Sequence, residues 1–218
     1  MPRIALIHAT RLAIQPIEDG FRKTWPEAEL VHLLDESLSS DMASGRVSEE
    51  ALYMRIVQLA HYAQGADPSA ILFTCSAFGL GIEQAAAEAT IPILKPNEAM
   101  FEAAVKEGGH LCLLYTFPQS VASMLSEFES MTKHLGLEAT LTPIYVEDAR
   151  ENLSSGDQES HDQRIVETGK ARASEFDGFL LAHFSMASAL TELKKQTGSL
   201  CWSPVDSAVI QLKRLFLN

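Results

Sequence analysis

The chain of 218 residues is 46% hydrophobic and 21% charged, the balance of a globular protein with a full core rather than of a disordered or fibrous chain. Its 29 acidic against 17 basic side chains give a formal charge of −12, which repels phosphate backbones and anionic lipid and argues against non-specific nucleic-acid or membrane binding. Three distant cysteines, Cys75, Cys112 and Cys201, fit neither a disulfide framework nor a zinc-ligand spacing; with no signal-like or bilayer-length apolar run, they are expected to be reduced thiols of a cytoplasmic protein.

Short apolar runs alternate with segments of helical period, the pattern of βα units that feed a parallel sheet. Strands are expected at 4–8 and 30–34, with a helix between them at 17–24. A helix at 49–64 then leads to a strand at 70–74, a helix at 81–89 and a strand at 91–94. A helix at 97–107 precedes strands at 111–115 and 139–144, themselves separated by a helix at 119–135. The segment 147–159, with Asn152, Ser154, Ser155, Gly156 and Asp157, reads as a loop, either a plain surface connection or a flap beside a cleft. The chain closes with a helix at 158–176, a strand at 179–182, a helix at 186–196, a strand at 199–202 and a helix at 205–217.

A constant offset runs through this pattern. Cys75 follows the apolar run that starts at Ala70, and His183 follows the run that starts at Gly178, a separation of 183 − 75 = 108 residues. The same offset lays residues 4–8 on 112–116, 91–93 on 199–201, Pro96 on Pro204 and Glu98 on Asp206. The expected fold is therefore α/β, with two pseudo-symmetric lobes, each a small parallel sheet with helices on its faces. Residues 1–97 plus the C-terminal helix 205–218 form the first lobe and 98–204 the second. Ligands of open parallel sheets bind outside the carboxyl ends of the strands, so His8, Cys75, Thr116 and His183 are expected to line one cleft between the lobes.

Cys75 lies where a buried strand turns into a helix, a place where backbone N–H groups and the helix dipole favour an anion and lower a thiol pKa. It is read as a reactive thiol, and Cys112 and Cys201, inside apolar strands, as structural ones. His183 has two readings, an acid, base or hydrogen-bond donor toward an enolate, or a ring satisfied in the pocket wall. Thr10, Ser76, Ala77, Thr116 and Ser185, with His8, are the candidates for holding a substrate carboxylate. No metal-ligand cluster and no phosphate loop of the usual spacing appears, so neither metal nor nucleotide is expected.

The segments Phe73 to Gly79, Pro92 to Met100, Leu114 to Thr116 and Leu180 to Ala187 resemble the aspartate/glutamate/hydantoin racemase superfamily over essentially the whole chain. The resemblance implies cofactor-independent chemistry on a small carboxylate-bearing substrate and a homodimer. It further implies two opposed catalytic cysteines, of which Cys75 matches the first while His183 stands where the second belongs. The leading expectation is a racemase or isomerase acting at the carbon next to a carboxylate, with Cys75 as base or nucleophile and His183 opposite. A decarboxylase or lyase of a small dicarboxylic acid, and a non-catalytic carboxylate binder, are the alternatives.

Overall fold

The structure, a computed structural model, describes residues 1–217; Asn218, the last position of the expected C-terminal helix, lies outside them. The first half runs β1 (Arg3–His8), α1 (Ile14–Thr24), β2 (Glu29–Leu34), α2 (Ser37–Ser44), α3 (Glu49–Gln64), β3 (Ala70–Phe73), α4 (Gly79–Glu88) and β4 (Ile93–Leu94). After α5 (Glu98–Glu107) the order repeats as β5 (Gly109–Tyr115), α6 (Val121–Leu135), β6 (Ala139–Tyr145), α7 (Ala149–Ser154), α8 (Gln158–Ala171), β7 (Gly178–Leu181), α9 (Leu190–Thr197), β8 (Leu200–Trp202) and α10 (Pro204–Leu217). One four-stranded sheet has the order β2-β1-β3-β4 and the other β6-β5-β7-β8, all pairs parallel. These are two α/β lobes of like topology.

The central strands are hydrophobic at nearly every position because helices cover both of their faces. Alternate side chains divide between those faces. Ala5, Ile7, Ile71 and Phe73 pack with α3 and α4, while Ile4, Leu6, Ala70 and Leu72 pack with α1 and α10. The chain crosses between lobes twice in its packing. Met100, Phe101, Ala104 and Val105 of α5 join the core of the second sheet, and Val205, Ala208, Val209 and Leu212 of α10 join that of the first. Across the junction, Lys95 Nζ lies 2.8 Å from Glu83 Oε1 on α4 and 3.4 Å from Glu127 Oε1 on α6, and burial pushes the Glu127 carboxyl up to about 7.

Two local expectations are corrected. The stretch 147–159 is mostly helical: α7 occupies 149–154, Gly156 turns at φ +89°, and the Asp157 side chain accepts the Ser160 N–H at 3.0 Å to start α8. Serine and charge richness hides short helices whose periodicity covers hardly two turns, and α2 escaped notice for the same reason. The second correction concerns His8, which is fully buried and does not line the cavity described below. As the last residue of β1 it projects along one sheet face, toward its neighbours on β2 and β3. Its Nδ1 is 2.9 Å from Thr74 Oγ1, and its Nε2 is 3.0 Å from His32 Nδ1.

The Thr74 hydroxyl can also donate to the Ile7 carbonyl at 3.3 Å, and His32 Nε2 faces Glu18 Oε1 at 3.6 Å, so the chain of polar contacts runs from a backbone carbonyl to a surface carboxylate. Burial, and secondarily the neighbouring His32, hold His8 at about 4. The unfolded chain takes up this proton near the ordinary value of about 6.5, so the folded state binds fewer protons between that value and about 4. Stability is therefore fully present above the upper limit and declines as pH falls through the window. Urea midpoints measured at pH 7 and pH 5 are expected to drop in the native protein, and to drop less in His8→Gln.

Candidate active site

A small cavity, partly open to solvent, lies where the carboxyl ends of β1, β3, β5 and β7 converge. The first lobe supplies Thr10, Ser39, Thr74, Cys75 and Ser76, and the second Thr116, Phe117, His183, Phe184 and Ser185. Each of β3 and β7 continues past its last pair into an extended residue and then 3-10 helix, one turn at 76–78 after β3 and two turns at 184–189 after β7. That extended residue is Cys75 (φ −125°, ψ 122°) in one lobe and His183 (φ −124°, ψ 149°) in the other. Equal backbone geometry at the two ends is what the repeat of 108 residues produces.

Of the residues expected to hold substrate, Thr10, Ser76, Thr116 and Ser185 line the cavity. The Thr10 hydroxyl accepts the Leu12 N–H at 3.4 Å, so part of its capacity is used in starting the turn at 11–13. Ala77 is buried outside the lining, and its backbone N–H faces the Cys75 sulfur. His8 stands behind the wall, holding Thr74.

The expected lowering of the Cys75 pKa is reversed. Burial pushes the thiol up to about 11, against the opposing pull of the Ala77 N–H and the Arg150 charge. A one-turn 3-10 helix presents too few aligned peptides to outweigh desolvation of a thiolate. Cys75 therefore rests as a thiol. Cys112 is fully buried and pushed up to about 12, and the Cys201 thiol, raised by burial, lies 3.8 Å from Thr197 Oγ1.

His183 Nε2 accepts the backbone N–H of Phe117 at 3.2 Å, a bond that ties the end of β7 to the end of β5. Nε2 is thereby unprotonated and Nδ1 carries the proton. Burial, with Arg150 and His161 adding to it, lowers His183 to about 3, so the ring is neutral at ordinary pH. Among the described residues no hydrogen bond joins His183 to Cys75. The two are not a thiolate–imidazolium pair.

Arg150 is the charged site residue that sequence reasoning missed, along with the lining residues Ser39 and Phe117. It lies in the first turn of α7, lines the cavity with Leu153, and holds its Cζ 4.2 Å above the Phe117 ring. An arginine in a segment read as a loop carries no signal of its own. The offset of 108 residues, which pairs α7 with α2 above the cavity, was the clue available. Among the described residues no three His, Cys, Asp or Glu side chains group closely enough to hold a metal ion.

The family model for Asp/Glu/Hydantoin racemase matches residues 6–212. No curated protein sequence matches the chain. Among solved structures, glutamate racemase from Campylobacter jejuni is similar at a TM-score of 0.76 and 12% identity, over 99% of this chain and 86% of that one. Aspartate racemase from Picrophilus torridus reaches 0.74 at 13% identity, over 97% and 94%. A glycine-to-cysteine mutant of arylmalonate decarboxylase reaches 0.68 at 15%, over 98% and 93%. At such identities these likenesses speak for the fold, and the match over nearly the whole length speaks for the family. With its two like lobes and the cavity between their strand ends, the chain belongs to the Asp/Glu/Hydantoin racemase family.

Proposed function

We propose that the protein is a cofactor-independent, single-thiol enzyme of this family, in which Cys75 passes a proton to or from one face of the carbon next to a carboxylate. The observation that carries this reading is one thiol in the cavity, protonated at rest, with a neutral histidine at the position related to it by the repeat. Thr116, Ser76, Thr10 and Ser185 supply hydroxyls for the substrate carboxylate. His183 offers its Nδ1–H as a donor to an oxygen on which enolate charge develops. It is poorly suited to be a second base, because its free lone pair is engaged by Phe117.

Two reactions fit one-sided proton transfer. In an isomerisation, Cys75 must first lose its proton, which a thiol near 11 does rarely at neutral pH. In a decarboxylation, the carbon–carboxylate bond breaks, its electron pair stays as the enolate of the remaining carboxylate, and the Cys75 S–H proton moves to carbon. The thiolate left behind faces the Ala77 N–H and recovers its proton from water. The raised thiol favours this second course, and the likeness to an arylmalonate decarboxylase mutant is consistent with it. Incubation of a panel of amino acids, hydantoins and substituted malonates in deuterium oxide separates the two. Deuterium entering at the carbon without release of carbon dioxide marks the isomerase, and deuterium entry with stoichiometric carbon dioxide marks the decarboxylase. Cys75→Ser is expected to abolish either while leaving the thermal midpoint within about 2 °C. Turnover surviving in Cys75→Ser would falsify the reading.

The protonation state of Cys75 is itself measurable. Below its folded pKa the group is a thiol, so the iodoacetamide rate at Cys75 is expected to keep rising up to pH 10 and beyond, with no plateau near pH 8. Rates are read by peptide mass spectrometry. For His183, replacement by Ala is expected to cost about a hundredfold in kcat, the scale of one lost donor to a developing oxyanion, whereas Gln, which keeps a donor and an acceptor, retains more. Full turnover in His183→Ala would assign the ring to the pocket wall.

A further inference from the structure

Among the described residues lining the cavity, Arg150 is the one charged side chain; there is no aspartate or glutamate among them. The residue is half-buried, yet among the described residues no carboxylate pairs with it and no carbonyl accepts from it; its guanidinium lies over the Phe117 ring. It lines the cavity together with Cys75 and His183, and its charge acts on both. Nearby arginines are paired differently: Arg164 reaches Asp148 at 3.6 Å, at the start of α7. In a protein of net charge −12, a cation left without a counter-ion in a concave site is a place prepared for an anion.

The rest of the wall is neutral. Its polar groups are the hydroxyls of Thr10, Ser39, Thr74, Ser76, Thr116 and Ser185, and the Ser39 hydroxyl is already committed to the Ala9 carbonyl at 2.7 Å. Hydroxyls hold one carboxylate adequately. An ammonium group finds no anionic partner in this cavity and meets the Arg150 charge, so an α-amino acid is poorly matched. A planar guanidinium suits a carboxylate, which it grips through two parallel N–H bonds.

We propose that the substrate is a small dianion without an ammonium group, its reacting carboxylate set among the strand-end hydroxyls and its second anionic group held by Arg150. Arg150 is then the residue that sets specificity, carried on the short helix α7. This assignment rests on the reading of Cys75 as the reacting thiol.

The test compares two alkylating agents of nearly equal size at Cys75, anionic iodoacetate and neutral iodoacetamide, with Cys201 as the internal standard. In the native protein the iodoacetate-to-iodoacetamide ratio at Cys75 is expected to exceed that at Cys201. In Arg150→Met it is expected to fall about tenfold, the scale of one charge-assisted contact, and in Arg150→Lys to fall less. A parallel titration by calorimetry uses malonate and succinate against alanine and aspartate. The dianions without an amine are expected to bind the native protein and to lose about tenfold in Arg150→Met, while the amino acids bind weakly to both. A ratio unmoved by Arg150→Met, or aspartate binding as tightly as succinate, overturns the proposal while Cys75 keeps its place as the reacting thiol. Malonate that binds through Arg150 without slowing iodoacetamide at Cys75 separates the two the other way, leaving an anion site but displacing the thiol from the reaction.

Discussion

The central strands of each of the two sheets are buried on both faces, and that constraint determines where polarity can exist. Ile4 to Ile7 and Ala70 to Phe73 are closed in by helices, as are the central residues of β5 and β7, so no side chain on a central strand can carry exposed chemistry until the strand ends. The last ladder bonds, such as Thr74 N–H to the Ile7 carbonyl and Ala182 N–H to the Leu114 carbonyl, lie just before the residues that line the cavity. Polar side chains gather at that point. Two sheets of like topology meeting at their carboxyl ends therefore concentrate hydroxyls, a thiol and an imidazole into one space, with apolar walls on all other sides.

The electrostatics of that space follow mainly from burial. Burial raises the thiol to about 11 against the pull of the Ala77 N–H and Arg150, and with Arg150 and His161 it lowers the histidine to about 3, keeping both neutral. The Phe117 N–H then fixes which nitrogen of the ring is the donor, and the bond is available because β5 and β7 are paired neighbours whose ends lie side by side. Arg150 is the one fixed charge at the wall among the described residues, and it favours negative charge on sulfur as it forms while opposing positive charge on the ring. Arg150 thus partly offsets, for negative charge only, a burial that opposes charge of either sign.

How much of this could be read from sequence depended on burial. Strands β3 and β7 were legible, and in register with one another, because buried parallel strands are uninterrupted apolar runs; helix α3 was legible to its ends because Ser48 caps it and Gly65 follows it. Cys75 and His183 followed from their places after those runs. The short helices α2 and α7 were not legible, because Ser37–Ser44 and Ala149–Ser154 are too brief and too polar to show a period. Arg150 was missed with the second of them. The inward turn of His8 depends on which sheet face the last residue of β1 meets, and the sign of the Cys75 shift on how much water reaches it. Both are properties of packing, which no local pattern encodes.

The near-symmetry of the lobes makes its breakdown consequential. A planar enolate lying between the ends of β3 and β7 would present one face to a thiol and the other to an imidazole whose available lone pair is tied to Phe117. On the proposed reading of Cys75, hydrogen would arrive at carbon from the sulfur side alone. Where the three other substituents differ, the product would then be a single enantiomer, its configuration set by which of two like strand ends carries cysteine. A fold whose halves are nearly interchangeable thereby writes stereochemistry into one side-chain difference.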